Sequence, residues 1–141
     1  DIRIVDETAV FGVFCRRWGV PMSDGTTVRL PRLIGAARAL DMLITGRGVD
    51  ADEAMDWGLA TRRAAKGQTR QVAEELALQI AGFPQIAMRS DRMSAYKQAG
   101  QTIEDAVRIE KELSQAAKAA EASAGAARFA AGAGRHGDFS E

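Results

Sequence analysis

The stretch that decides the fold is residues 25–39, Gly25-Thr26-Thr27-Val28-Arg29-Leu30-Pro31-Arg32-Leu33-Ile34-Gly35-Ala36-Ala37-Arg38-Ala39. Asp24, just before it, is a residue type that caps helices, so we predict a short helix from near Thr26 to Gly35. A second helix is predicted over about residues 36–45, because its leucine and isoleucine side chains form one stripe. Gly46 then ends this helix, since glycine tolerates a left-handed backbone.

Two short β-strands are predicted before this helix pair. Residues 2–5 and residues 9–14 are rich in β-forming side chains and flank a turn at Asp6 and Glu7. Residues 16–25 carry glycine, proline, serine and aspartate, a composition typical of a loop. Cys15 is therefore expected at the end of the second strand.

The rest of the chain is predicted to be mainly helical. Residues 50–53 form a capping box that opens a helix closing at Gly58, and residues 59–65 form a short strand. Helices continue from Thr69, and a second capping box at Thr102 to Asp105 opens one of them. Alanine fills eleven of the 21 positions from 114 to 134. Alanine buries little area, so this end is expected to pack on something outside its own core. We predict two regions, residues 1–65 with the strands and residues 66–141 as a helical oligomerisation region.

Composition excludes several classes of protein. Lys+Arg and Asp+Glu both total 19, so no basic surface is expected to bind nucleic acid. The apolar runs are too short to span a bilayer, so no membrane partner is expected. The 46% hydrophobic content is enough for a folded core, and the single cysteine fits a reducing, cytoplasmic location.

Residue types that carry chemistry are few. The chain has one histidine and one cysteine, with no zinc-type spacing, no phosphate loop and no nucleophile elbow, so no metal site is predicted. His136 is interpreted as a solvated tail residue, with a catalytic base as the alternative. Cys15 is interpreted as a small buried side chain, although the neighbouring Arg16 and Arg17 would favour a reactive thiolate.

Several blocks of the sequence, in order and in register over residues 1–65, resemble the crotonase superfamily, the enoyl-CoA hydratase/isomerase family. The blocks are Asp1-Ile2-Arg3-Ile4, Ala9-Val10-Phe11-Gly12, Gly19-Val20-Pro21, residues 25–39, Leu43-Ile44-Thr45-Gly46-Arg47, Asp52-Glu53-Ala54 and Trp57-Gly58-Leu59. The helical remainder resembles the family's C-terminal region in kind only.

The resemblance implies an α/β fold, a crotonase-like spiral of ββα turns, with only the last strands in this chain and a mostly helical C-terminal region after them. It also implies an N-terminal half of the same protein that supplies the oxyanion hole, and an assembly into trimers or hexamers. The implied substrate is an acyl-CoA thioester, and no cofactor is expected beyond the coenzyme A of that substrate. A chain that opens on a strand at Asp1 is expected to need that other half to fold stably.

The resemblance also locates the candidate site. Hydratases of the family use two glutamates; one lies upstream of Asp1 and the other aligns with Cys15, so simple hydration is in question. Asp24 is a carboxylate that could transfer protons instead, with a helix cap as the alternative. The predicted substrate-binding wall is Phe11, Phe14, Cys15, Trp18, Gly19 and Pro21, whose aromatic members would otherwise be core. Arginines 16, 17, 29 and 32 could meet coenzyme A phosphates or simply be solvated.

Two functions are consistent with these residues. The first is an enoyl-CoA hydratase/isomerase-type enzyme that acts on acyl-CoA thioesters through the oxyanion hole. The second is a non-catalytic acyl-CoA-binding or assembly subunit that has lost the hydratase carboxylates. The departure at Cys15 leaves both open.

Overall fold

The computed structural model describes residues 1–134, which divide into two compact units, Asp1–Ala77 and a second unit that begins at Leu78. The first unit contains all four strands of the described chain and three helices followed by the start of a fourth. The second unit is entirely helical over its described residues apart from connecting turns. The predicted change from a strand-containing region to a helical one is therefore present, while the functional division at residue 65 stays a prediction.

The strands of the first unit are short and pair over long sequence distances. Strand β1 (Ile4–Val5) pairs in parallel with β4 (Arg62–Arg63), and β2 (Val10–Gly12) pairs antiparallel with β3 (Gly48–Asp50). The first two strands flank the predicted turn, in which the Ala9 amide donates to the Asp6 carbonyl at 3.1 Å. They do not pair with each other, because each finds its partner beyond residue 45.

Two details of the strands differ from the prediction. Strand β2 ends at Gly12, not at residue 14, because the chain then turns. Strand β3 was not predicted at all. It has only three residues and is recognisable as a strand by its pairing with β2. No local sequence pattern predicts that pairing.

Glycines and caps set the helix boundaries as predicted. Helix α1 spans Thr26–Ile34 and α2 spans Ala36–Thr45, with Gly35 between them at φ 84° and Gly46 after them at φ 60°. Helix α3 spans Ala51–Asp56, and the carboxylate of its cap residue Asp50 accepts from the Glu53 amide at 2.9 Å. These local signals are short-range, which is why the sequence alone locates them.

The core of the first unit is small and built largely of aliphatic side chains. Its buried members come from β1, β3, α1, α2, α3 and the segments next to them: Val5, Val13, Ile34, Ala39, Met42, Val49, Ala51, Ala54, Leu59 and Ala60. Asp6 is the buried polar residue beside this core. Its carboxylate accepts from the Thr8 amide and hydroxyl at 2.9 and 2.5 Å and from the Gly67 amide at 2.9 Å, so its charge is satisfied.

The helices that follow fill the second half of the chain. Helix α4 (Thr69–Ala81) begins in the first unit, and α5 spans Gln85–Lys97. Helix α6 (Ile103–Ala117) runs on through a π-helical turn (Lys118–Ala122) into α7 (Ser123–Ala130). As predicted, the Thr102 hydroxyl caps α6 by accepting from the Asp105 amide at 3.1 Å.

The second unit buries fewer apolar side chains than the first. Helices α5 and α6 pack against each other, yet Ala117 is the only buried apolar residue among the unit's described positions. Large apolar side chains such as Leu78, Tyr96, Ile103 and Phe129 are exposed. Within residues 1–134, no helix combines the length and the apolar character that a bilayer span requires.

Candidate functional site

Cys15 lies in a tight turn and not at a strand end, which corrects the prediction for this residue. Residues Phe14–Trp18 form a 3₁₀ turn, in which the Arg16 amide donates to the Val13 carbonyl at 3.2 Å. Gly19 ends the turn at φ 73°, a left-handed value that suits glycine. The side chains of residues 14–18 therefore project from a turn and not from a strand. We call this segment the Cys15 turn.

The Cys15 turn is positioned by the end of helix α2. A Cβ added to Gly46 would lie 3.3 Å from the Val13 carbonyl oxygen and 3.3 Å from Arg17 Cγ. Gly46 therefore serves twice, because it supplies the left-handed residue that ends α2 and leaves room for the backbone before the turn. This close approach between residues far apart in sequence fixes where the turn lies.

The aromatic residues predicted to line a pocket fall into two groups. Phe11 is half-buried and packs against the core. Phe14 and Trp18 are exposed, to 46% and 82%, and both project from the Cys15 turn. The Phe14 ring lies over Gly12, where an added Cβ would overlap it. The turn thus brings Phe14, Cys15 and Trp18 together, while Phe11 belongs mainly to the core.

The remaining predicted wall residues lie beside this turn. Gly19 ends it, and Pro21 follows two residues later at an exposed position. The Cys15 thiol is free and half-buried against the core. Arg16 and Arg17 are exposed, which leaves their guanidinium groups accessible to solvent. The role of each residue as a substrate contact stays a prediction.

Asp24 is held as a carboxylate by the start of helix α1. Its Oδ1 accepts from the Thr26 amide at 2.9 Å and from the Thr26 hydroxyl at 2.6 Å. These hydrogen bonds, the hydroxyl's first, hold the pKa of Asp24 below its usual value. The formal cap position is Gly25, so Asp24 serves the helix from one residue further out. An ionised Asp24 can accept a proton but is a poor proton donor at neutral pH.

Sequence reasoning did not find the ion-pair network around Arg47. The Arg47 guanidinium donates to Asp41 Oδ2 at 2.7 Å and to both Glu53 oxygens at 2.7 Å, and it lies 5.2 Å from the Trp57 ring centre. Arg38 approaches the same ring at 5.5 Å. Hydrogen bonds from Arg47 hold the pKa of Glu53 below its usual value. The network connects the end of α2 to α3. Both acidic partners are six residues from Arg47, a spacing that no helical pattern predicts.

A groove in the second unit was also not predicted. It has a volume of about 660 Å³ and runs between the end of α4 and helix α7. Leu78, Phe83 and Pro84 form one wall, while Gly125, Arg128 and Phe129 contribute to the other.

Among residues 1–134, no group of three histidine, cysteine, aspartate or glutamate side chains is arranged to hold a metal ion. His136, a predicted tail residue, lies outside the described residues.

Comparison with known families identifies one match that covers nearly the whole chain. The family model for enoyl-CoA hydratase/isomerase matches residues 1–133. Among curated proteins, the enoyl-CoA hydratase EchA19 of Mycobacterium tuberculosis is 37% identical over 90 residues, which is 64% of this chain and 34% of that protein. A probable enoyl-CoA hydratase of Rhizobium meliloti is 34% identical over 121 residues, or 86% of this chain and 47% of that protein.

Solved structures give the same result. The crystal structure of an enoyl-CoA hydratase from Bacillus anthracis superposes with a TM-score of 0.86 at 28% identity, over 93% of this chain and 51% of that one. The predicted α/β fold, a part of the crotonase-like fold, is confirmed by this likeness. The chain spans about half the length of that structure and between a third and a half of the two curated relatives.

Proposed function

Because the chain belongs to the enoyl-CoA hydratase/isomerase family, we propose that the intact protein in which these residues occur acts on acyl-CoA thioesters. The observation that carries the proposal is the family match over residues 1–133. Family members EchA19 and the Bacillus anthracis protein are both described as enoyl-CoA hydratases. A role in fatty acid metabolism in the cytoplasm follows from the same proposal, with coenzyme A as part of the substrate and no further cofactor.

In this proposal the chemistry is divided between two parts of the protein. An N-terminal half, which would precede Asp1, supplies two backbone amides that bind the thioester oxygen as negative charge develops on it. The Cys15 turn supplies one wall of the acyl site through Phe14, Cys15 and Trp18, next to Gly19 and Pro21. Exposed aromatic side chains on a turn that is fixed by Gly46 support this part of the proposal.

The reaction subtype depends on which group moves the proton. Hydration adds water across the double bond and needs a base for the water and an acid for the substrate carbon. Cys15 cannot act as a carboxylate, and Asp24 is held in its ionised form by Thr26. At neutral pH Asp24 can therefore accept a proton but not donate one, and its lowered pKa makes it a weak base.

A second candidate function is a non-catalytic acyl-CoA-binding or assembly subunit. The observation that favours it is Cys15, which stands where the resemblance expects the second glutamate. The exposed apolar side chains of the helical unit would then serve mainly in a trimer or hexamer. This function predicts thioester binding without turnover.

The two candidates separate when binding and turnover of crotonyl-CoA are measured on the same intact protein. An enzyme binds the thioester and converts it, while a binding subunit only binds it. Absence of binding at millimolar thioester would contradict both. Trp18→Ala is expected to weaken binding several-fold at little cost in stability, because the side chain is 82% exposed. Ile103→Ala, equally exposed but in the second unit, is the matched control and should leave binding unchanged.

A further inference from the structure

The start of helix α5 has an unusual partner. In any helix the first amides lack carbonyl acceptors within the helix itself. In α5 the amide of Met88 is the first to find one, at the Pro84 carbonyl 3.2 Å away. The cap residue Pro84 offers no side-chain acceptor. The amides of Ile86 and Ala87 therefore need an acceptor from elsewhere.

Glu121 supplies that acceptor from 35 residues further along the chain. Its Oε1 accepts from the Ile86 amide at 3.1 Å, and its Oε2 accepts from the Ala87 amide at 2.8 Å. Each carboxylate oxygen thus takes one amide, and the negative charge lies at the positive end of the α5 dipole. We call this pair of hydrogen bonds the Glu121 clasp.

The backbone around Glu121 is itself exceptional. Residues Lys118–Ala122 form a π-helical turn between α6 and α7, a geometry that is rare and usually confined to single turns. A π turn contains one extra residue and so rotates the following residues about the helix axis. Glu121 lies inside this turn, so the unusual backbone and the carboxylate that reaches α5 occur at the same place.

The clasp also joins the two walls of the 660 Å³ groove. Phe83 and Pro84 of one wall lie three and two residues before Ile86, the first residue of the clasp, and Gly125 of the other wall is four residues after Glu121. Gln85 holds the first wall from its other side, because its amide donates to the Ile80 and Phe83 carbonyls at 2.8 and 2.9 Å. The segment between α4 and α5 is thus fixed by two side chains.

We propose that the carboxylate of Glu121 keeps the π turn in place and fixes the separation of the two groove walls. When the carboxylate is removed, the first turn of α5 loses its acceptor and the π turn loses its contact with α5. The proposal concerns the shape of the groove and does not depend on what the groove binds. It therefore stands apart from the proposed acyl-CoA activity.

Hydrogen exchange on the intact protein, read by mass spectrometry at single-residue resolution, tests the clasp. Glu121→Gln should speed exchange at Ile86 and Ala87 about tenfold, because a carboxamide offers one acceptor in place of two charged ones, and Glu121→Ala should speed it further. Amides inside α5, residues 91–97, should change less than twofold. Glu110→Gln removes a charge at an exposed position of α6 and is the matched control. It should change the exchange rates of neither group of amides.

Wild-type protein alone provides a second test that does not depend on variants folding. Ile103 and Glu104 are the first and second residues of α6 after its cap Thr102, and neither amide has an acceptor among the described residues. The amides of Ile86 and Ala87 should exchange at least about tenfold more slowly than those of Ile103 and Glu104, when each rate is divided by the rate of the same amide in an unstructured chain. Equal rates in the wild type would overturn the proposal. So would a Glu121→Ala protein that keeps slow exchange at Ile86 and Ala87, or one that loses protection evenly along α5.

Discussion

The two units of this chain both contain helices but differ in how they bury apolar side chains. The first unit collects ten buried residues into one cluster around short strands that pair across more than 35 residues of sequence. The second unit has longer helices, yet Ala117 is its only buried apolar residue among those described. Five of the ten buried residues of the first unit lie on α1, α2 and α3, so its core forms where these helices meet the segments around the short strands.

The largest expected effect comes from the core of the first unit. Met42 is 2% exposed on α2, and Met42→Ala should lower the free energy of unfolding by about 2–5 kcal/mol, because it leaves a cavity. Ile44 lies two residues further on the same helix at 69% exposure, so Ile44→Ala should cost less than about 1 kcal/mol. Urea denaturation of the intact protein measures both. Equal losses of unfolding free energy would mean that Ile44 is covered in the intact protein. The distinction between a buried and an exposed face of α2 would then be contradicted.

The second prediction concerns the exposed face of the second unit. Ile103 and Val107 are one turn apart on α6 and both exposed, so we expect another surface to cover them in an assembly. Replacing both with arginine should shift the intact protein from an oligomer to smaller species in light scattering. Glu110→Arg adds the same charge at an exposed polar position and should leave the mass unchanged. A wild type that is monomeric at micromolar concentration would rule the assembly out.

The third prediction separates the two roles of Gly46. Gly46→Ala should destabilise the protein by about 1–2 kcal/mol, because alanine is strained at φ 60° and its Cβ would press on the Val13 carbonyl. Gly58 has φ 72° but nothing within 4 Å of an added Cβ, so Gly58→Ala should show the conformational cost alone. Thermal unfolding compares the two. If Gly58→Ala lowered the stability more than Gly46→Ala, the contact between Gly46 and the Val13 carbonyl would not be what positions the Cys15 turn.

The smallest effect is a pH dependence at Asp6. Hydrogen bonds from Thr8 and Gly67 lower the pKa of Asp6 to about 2 in the folded protein, from 3.8. A carboxyl whose folded pKa is depressed adds stability above its unfolded pKa, and this stability is lost as the pH falls from about 4 to 2. Wild type should therefore exceed Asp6→Asn in denaturation midpoint at pH 7 and approach it near pH 2. A constant difference across this range would show that the charge of Asp6 does not matter.

The parts of the fold that the sequence predicted are those with local causes. Gly35 and Gly46 end helices by their own backbone freedom, and Asp50 and Thr102 cap helices through amides three residues away. Such signals act within one turn, so they can be recognised in the sequence without knowing what surrounds them.

The parts that the sequence missed have distant causes. Strand β3 exists because β2 lies beside it, and the Cys15 turn is placed by Gly46, some thirty residues away. The π turn of Glu121 likewise meets α5 across 35 positions. The candidate site was affected most, since Cys15 was placed at a strand end when the contacts that shape its turn come from another helix.

The central claim is the proposal that Cys15, on its turn in the proposed acyl site, does not replace a hydratase carboxylate. Steady-state hydration of a short enoyl-CoA by wild type, Cys15→Ala and Cys15→Glu tests it most directly. We predict a wild type slower by about 10²–10⁴ than a hydratase with both glutamates, and a change of less than about tenfold in Cys15→Ala, because the thiol supplies no general acid or base. Cys15→Glu should raise the rate only if an upstream glutamate shares the water. A wild type as fast as the two-glutamate enzyme, whose activity collapses in Cys15→Ala, would contradict the account and make Cys15 catalytic.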